Sequence, residues 1–109
     1  MKSSRKYIGI SIKHTDNRWK YGMPCVLWGY KVTEDDEPRC MSGYTKYLSE
    51  AERYEKKDLQ EQYGDSIKEE PVKMSPDLCK QNRRYDSVIV EYKEYKKYCE
   101  MFLIAQNRP

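Results

Sequence analysis

The chain has 109 residues and a net charge of +3, which predicts one domain and argues against both a DNA-coating protein and a DNA mimic. Leu, Ile, Val and Phe make up only 17 residues, so the core must also draw on the eleven tyrosines and two tryptophans. Aromatic rings of this class bury roughly 150–250 Å² each. These rings favour a folded domain over a disordered chain.

The cysteines and the hydropathy pattern indicate a cellular compartment. Cys25, Cys40, Cys79 and Cys99 include no closely spaced pair, which favours reduced thiols over a disulfide framework or a zinc site. No apolar run approaches the roughly 20 residues of a membrane span. Residues 1–6 lead into a strand rather than into the apolar region of a signal peptide. We therefore expect a cytoplasmic protein that does not contact a membrane.

The first half of the chain predicts three strands. Residues 7–13 alternate, with Ile8, Ile10 and Ile12 on one face. Residues 24–31 form an apolar run between turn signals, and we expect Trp28 to lie in the core. Residues 39–45 form a third strand that pairs with the second across the acidic loop at 33–38.

The second half predicts mostly helices. Residues 55–63 form a helix that Gly64 ends. Residues 66–74 hold a short edge strand interrupted by Pro71, and a short helix opens at Ser75 with Pro76 in its first turn. Residues 86–92 return as a strand. A C-terminal helix over 93–105 follows, with its apolar stripe at Tyr95, Tyr98, Cys99, Phe102 and Ala105.

These elements predict the α+β class. The expected fold is an antiparallel sheet of about four to six strands with two or three helices, and the C-terminal helix packs on the sheet. The domain spans residues 1–109, with frayed tails at 1–6 and 106–109.

Catalytic chemistry has few candidates. His14 is the single histidine. It lies at the end of a strand, where a solvated turn residue is the alternative to a catalytic one. The acidic run Glu34, Asp35, Asp36 and Glu37 has the oxygens for a divalent cation, but such runs are usually solvated. No phosphate-binding glycine motif occurs. We expect no catalytic residue, no metal site and no cofactor, and an enzyme using residues 34–37 is the third hypothesis.

One region combines cations with aromatic rings. In residues 80–97 the cations are interleaved with Tyr85, Tyr92, Tyr95 and Tyr98. The alternative for Tyr95 and Tyr98 is that they belong to the core rather than to a binding surface. Such a pattern suits single-stranded nucleic acid, and it suits a protein interface equally well. The predicted partner-binding residues are Lys80, Arg83, Arg84, Tyr85, Lys93, Lys96 and Lys97.

The chain resembles the small accessory proteins of bacteriophages and other mobile elements. The resemblance rests on size, the absence of a catalytic signature, the Lys/Glu/Tyr-rich composition, and the segments Ile10-Ser11-Ile12-Lys13-His14-Thr15, Leu27-Trp28-Gly29 and Gly43-Tyr44-Thr45. It implies a cytoplasmic protein that binds a host or defence protein, in the manner of an anti-CRISPR inhibitor. The alternative is a nucleic-acid-binding accessory protein, whose affinity would fall steeply with salt.

Overall fold

The computed structural model describes residues 4–104. Two short 3-10 turns, at Asp16–Arg18 and Gly64–Ser66, accompany the regular elements of this part of the chain. These elements are β1 (Tyr7–Ser11), α1 (Ile12–Thr15), β2 (Leu27–Trp28), β3 (Tyr44–Thr45), α2 (Lys56–Tyr63), α3 (Leu78–Gln81), β4 (Ser87–Glu91) and α4 (Tyr92–Met101).

The four strands form one antiparallel sheet in the order β3-β2-β1-β4. The longest pairing joins β1 to the edge strand β4 and runs from Tyr7 opposite Glu91 to Ser11 opposite Ser87. β2 and β3 pair at Leu27 with Thr45, so the predicted pairing across the acidic loop is confirmed, but each strand has two residues instead of the predicted 24–31 and 39–45. The predicted α+β class is confirmed.

Helices cover the sheet on both faces. The face that we call the α4 face carries the larger apolar cluster, built from β1, β2, β4, α3 and α4 and including Ile8, Ile10 and Ile12 as predicted. α4 therefore packs on the sheet as expected. The opposite face, called the α2 face, carries a smaller cluster of Tyr54, Leu59, Ile67 and Ile89.

β1 is shorter than its alternation predicts, because a helical turn begins at Ile12. The Ser11 hydroxyl accepts a hydrogen bond from the His14 backbone N–H at 3.2 Å and so caps α1. The N–H groups of Ile12 and Lys13 are satisfied by the Asp86 carbonyl. Ile12 is buried in either conformation, which is why the apolar pattern alone did not reveal the turn.

The two longer helices follow the prediction closely. α2 begins with a reciprocal cap in which Asp58 accepts the Glu55 N–H at 2.9 Å, and Gly64 follows its last residue with φ +52°. α4 begins one residue earlier than predicted and ends at Met101 rather than at Ala105, which lies outside the described residues.

Two weaker predictions need correction. The short helix α3 begins at Leu78, because Ser75 and the two residues after it form a turn in which the Ser75 carbonyl accepts the Leu78 N–H at 3.2 Å. The segment 66–74 is not a regular strand. It meets the edge of β4 through an isolated bridge at Ile67, next to a bond from the Lys68 N–H to the Ser87 carbonyl at 3.4 Å, and through a bond from the Val72 N–H to the Ile89 carbonyl at 2.8 Å.

The long connection around β2 and β3 is held by one buried carboxylate. Glu52 has no exposed surface. It accepts the backbone N–H groups of Thr33, Cys40 and Arg53 at 2.9–3.3 Å, and Arg39 lies 3.4 Å from it. Within residues 4–104, no helix combines the length and the apolar character that a membrane crossing requires.

Candidate functional site

The predicted partner-binding cations of α4 lie on its outer side. Lys93, Lys96 and Lys97 are exposed, whereas Tyr95 and Tyr98 between them are 1% and 2% exposed. Lys96 approaches Glu100 at 4.0 Å. The helical period therefore separates the cations from the two tyrosines, as the amphipathic pattern requires.

The buried tyrosines join α4 to the segment that enters β2. The Tyr95 hydroxyl accepts the Cys25 N–H at 2.9 Å. The Tyr98 hydroxyl accepts the Gly22 N–H at 3.2 Å and donates to the Met23 carbonyl. Burial raises the pKa of both hydroxyls. Tyr95 and Tyr98 are thus core residues, the alternative left open by the sequence, and they leave no ring for a partner.

The remaining predicted residues lie on α3 and on the segment between α3 and β4. Lys80 is exposed on α3. Arg83 forms an ion pair with Asp16 at 3.2 Å. The Arg84 guanidinium lies 4.9 Å from the centre of the half-buried Tyr85 ring and donates to its hydroxyl at 2.9 Å. Arg84 and Tyr85 therefore form one local unit.

These two groups of cations flank elements that pack against one apolar cluster. Leu78 and Cys79 of α3 belong to the same cluster as Tyr95 and Tyr98 of α4. Both helices thus pack on the α4 face, and the cations on and beside them are exposed. We call this surface, formed by Lys80, Arg83, Arg84, Lys93, Lys96 and Lys97, the basic face.

The acidic run is held mainly through its backbone carbonyls, although the Glu37 carboxylate accepts the Glu34 N–H at 2.9 Å and Asp35 lies 3.9 Å from Arg5. Arg5 donates to the carbonyls of Glu34, Asp35 and Glu37 at 2.6–3.0 Å. Arg39 donates to the carbonyls of Glu34 and Glu37 from the other side. The carboxylates are left exposed. Within residues 4–104, no three His, Cys, Asp or Glu side chains converge as a metal site would require.

His14 is neither a free turn residue nor part of an accessible catalytic pair. Its Nδ1 lies 2.7 Å from the Ser11 hydroxyl, but Ser11 has no exposed surface and cannot reach a substrate. The exposed imidazole ring stacks on Tyr44, with ring centres 4.9 Å apart and an interplanar angle of 28°. Its edge meets Trp28 at 5.9 Å.

This stack belongs to an exposed aromatic surface that the sequence pattern did not reveal. Trp28 is half-buried rather than core, and its indole N–H donates to the buried Ser87 hydroxyl at 2.7 Å. Tyr44 and Tyr30 are 53% and 52% exposed. We call the surface formed by His14, Trp28 and Tyr44, whose rings contact one another, the aromatic edge. One feature of the sequence could have indicated this surface. The predicted hairpin pairs Trp28 with Tyr44, and Tyr44 lies on an edge strand.

A groove of about 270 Å³ adjoins the aromatic edge. His14 belongs to its wall, and Thr15 and Val26 are its buried residues. The wall includes the cations Arg18 and Lys46 but no carboxylate. Its residues are His14, Thr15, Asn17, Arg18, Trp19, Met23, Pro24, Val26 and Lys46.

The cysteines are buried free thiols in the structure. Burial raises the pKa of Cys79 and Cys99 to about 11 and that of Cys25 further. Because the thiolate is the reactive form, these three side chains have the character of packing residues rather than of nucleophiles.

Comparison with protein-family models, with curated proteins and with solved structures finds no match to this chain. Two surfaces are therefore the candidates for a functional site: the basic face, and the aromatic edge with its groove.

Proposed function

We propose that this is a non-catalytic binding protein whose basic face docks on an acidic surface of a protein partner. The observation that carries the proposal is that two exposed cationic segments, separate in sequence, lie on or beside two helices that pack against the same apolar cluster. Long lysine stems on such a surface can cover apolar parts of a partner while their ammonium groups remain hydrated.

Electrostatics defines the kind of partner. A face of clustered cations attracts an acidic surface and raises the rate of encounter, while individual exposed charges add little to affinity. Lys93 and Lys97 lie one helical turn apart, and no ion pair to either occurs within residues 4–104. These two lysines are thus available to a partner, whereas Arg83 is already paired with Asp16.

The sequence resemblance supports a more specific form of the proposal. Small accessory proteins of phages include inhibitors of bacterial defence systems, so we propose a defence protein, such as a CRISPR effector, as the partner in the host cytoplasm. In this form the protein would act by occupying a surface that the defence protein needs, without any reaction of its own.

Charge reversal tests the basic face. We expect the triple variant Arg84→Glu, Lys93→Glu and Lys97→Glu to remain folded, because all three side chains are exposed. Its affinity for a partner identified with the parent protein should fall tenfold or more, about 1.4 kcal/mol, measured by titration calorimetry with purified partner.

The matched control reverses three exposed lysines outside the basic face, Lys31→Glu, Lys56→Glu and Lys57→Glu, which changes the net charge equally. We expect it to bind as the parent does. Equal loss in both triple variants would indicate a general charge effect, and unchanged binding in the first would reject the basic face.

A plating assay tests the biological form. Expression of the parent in strains that each carry one defined defence system should restore plating of a restricted phage in one of them. The basic-face variant should not restore it. Restoration by neither protein in any strain would contradict the anti-defence role while leaving the binding assay to decide on the basic face.

A further inference from the structure

We propose that the aromatic edge and its groove form a binding site for single-stranded nucleic acid, separate from the basic face. In this site a base stacks on Tyr44 while neighbouring phosphates contact Arg18 and Lys46. The site uses neither α3 nor α4, so it does not depend on the protein-binding proposal.

The first step in the argument is the free ring face of Tyr44. One side of the ring stacks on His14 at 4.9 Å, and the side chain is still half exposed. Tyr44 is held in place by that stack, by an edge contact with Trp28 at 6.0 Å, and by its backbone pairing in β3. An exposed ring that is already fixed loses little conformational entropy when a base stacks on it. Such rings are the usual platforms for single strands.

The second step is the cations of the groove. Arg18 and Lys46 both line it, and no hydrogen bond or ion pair to either side chain occurs within residues 4–104. Asp16, two positions before Arg18, has its carboxylate paired with Arg83 at 3.2 Å. The groove therefore offers unpaired positive charge, which suits an anion.

The third step is adjacency. His14 is both a wall of the groove and the stacking partner of Tyr44. Lys46 follows Tyr44 by two residues at the end of the edge strand. The stacking position and the cations are consequently next to each other, as a base and its flanking phosphates are in a single strand.

The groove is small and open. Its volume of about 270 Å³ lies near the lower end of the range of about 300–1,000 Å³ for pockets that enclose small ligands. One unit of a longer strand fits such a groove while its neighbours lie outside. A duplex does not fit the proposal, because its bases are not free to stack on a side chain.

Oligonucleotide binding tests the site directly. A labelled oligothymidine of about 15 nucleotides should bind the parent at about 50 mM salt in fluorescence anisotropy and should quench tryptophan fluorescence. Quenching is expected because Trp19 lines the groove and Trp28 contacts Tyr44. A duplex of the same length should bind more weakly.

Variants separate stacking from charge. Tyr44→Ala should weaken binding about tenfold, whereas Tyr44→Phe, which keeps the ring, should bind as the parent does. The double variant Arg18→Ala, Lys46→Ala should reduce the slope of log affinity against log salt by about 1.4, the value for two phosphate contacts to a single strand. The controls are Tyr30→Ala, whose ring is equally exposed but does not belong to the set of ring contacts that joins His14, Trp28 and Tyr44, and the basic-face triple variant.

The proposal is overturned if Tyr44→Ala and the double variant bind the oligonucleotide as the parent does. It is also overturned if the basic-face variant alone abolishes binding, or if a polyglutamate peptide binds the groove and the oligonucleotide does not, which would indicate an acidic protein segment. Thermal unfolding of each variant confirms that it is folded, as expected for substitutions on this outer surface.

Discussion

At the scale of single residues, the side chain that most constrains this chain is Glu52. It is a fully buried carboxylate, and its charge is compensated by three backbone N–H groups, the Thr33 hydroxyl and the Arg39 guanidinium. A buried ion pair of this kind contributes little net stability, but removing one member leaves the other uncompensated. Glu52 also orders the loop that separates β2 from β3 and so supports the position of Tyr44.

We therefore expect Glu52→Ala to lower the free energy of unfolding by about 3–5 kcal/mol. Arg39, with 7% of its side chain exposed, would be left with no carboxylate partner. Urea denaturation measures the effect, and Glu61→Ala on the exposed side of α2 serves as the control, with an expected change within about 0.5 kcal/mol. A urea midpoint for Glu52→Ala equal to that of the parent would contradict this role.

Gly29 is the second residue that the loop requires. Its φ is +80°, and a Cβ there would lie 2.5 Å from both the Glu52 Cβ and the Tyr54 hydroxyl. Gly29→Ala should therefore be destabilising through both backbone strain and overlap, by about 2 kcal/mol or more.

Gly64→Ala is the control for Gly29, since Gly64 also has positive φ but a Cβ there would meet nothing within 4 Å. It should show the backbone cost alone, about 1–3 kcal/mol, because its φ of +52° and ψ of −128° lie in a region that residues with a Cβ rarely adopt. Thermal unfolding of both variants separates the two terms, and equal losses would mean that the overlap at Gly29 relaxes without cost.

At the scale of elements, the attachment of α4 to the segment at 22–25 closes the larger apolar cluster. The Tyr95 and Tyr98 hydroxyls satisfy the N–H groups of Cys25 and Gly22, which no strand pairs. Tyr95→Phe keeps the ring but leaves the buried Cys25 N–H without its partner. It should cost about 1–3 kcal/mol, measured by urea denaturation.

Tyr92→Phe is the control on the same helix. Tyr92 is half-buried and contacts the Arg53 guanidinium through its ring, 4.0 Å from the ring centre, a contact that phenylalanine retains. If Tyr95→Phe were as stable as the parent, the hydrogen bond to Cys25 would contribute nothing net.

The elements also show how far the sequence could be interpreted. Periodicity located β1, β4, α2 and α4, because apolar residues recur in each of them at the spacing of a strand or of a helix. It did not locate the end of β1, because Ile12 is buried in a strand and in a helical turn alike. It also assigned Trp28 to the core. Whether a ring at a sheet edge is covered depends on which helix lies over it, and that is a long-range property of the fold.

The candidate site shows the same division. The cations of α4 could be placed from the helical period alone, and they lie outward as predicted. The stack of His14 on Tyr44 could not be predicted, because it joins residues 30 positions apart through a turn that the Ser11 hydroxyl creates. A surface built from two-residue strands and a single helical turn shows almost no periodic pattern in the sequence.

At the scale of the whole molecule, the two covered faces of the sheet divide the surface into regions of different chemistry. α3 and α4 present cations from one face, while the aromatic edge lies at β2 and β3, where the second face is left only partly covered by α2. The two proposals assign different partners to the basic face and to the aromatic edge. The basic-face triple variant and the double variant Arg18→Ala, Lys46→Ala distinguish these surfaces.

Alkaline pH should unfold the molecule cooperatively, because its core is held by groups that ionise with difficulty when buried. Burial raises the pKa of Tyr54, Tyr95 and Tyr98, and raises that of Cys79 and Cys99 to about 11. The folded state therefore binds more protons than the unfolded state once pH exceeds the unfolded pKa values of about 8.5 for Cys and 10 for Tyr.

The sign of the effect follows from this difference. Stability is independent of these groups below about pH 8, decreases above about pH 8.5, and decreases more steeply above about pH 10, by up to about 1.4 kcal/mol per pH unit for each group. Since small domains are stable by about 5–15 kcal/mol, we expect loss of far-UV circular dichroism and a jump in tyrosinate absorbance to coincide in one transition. Cys99→Ala should flatten the dependence of stability on pH between about 8.5 and 10 by removing one of the linked protons. Gradual ionisation of all the tyrosines with an unchanged circular dichroism spectrum would show that the core admits charge, and would contradict the burial on which the fold depends.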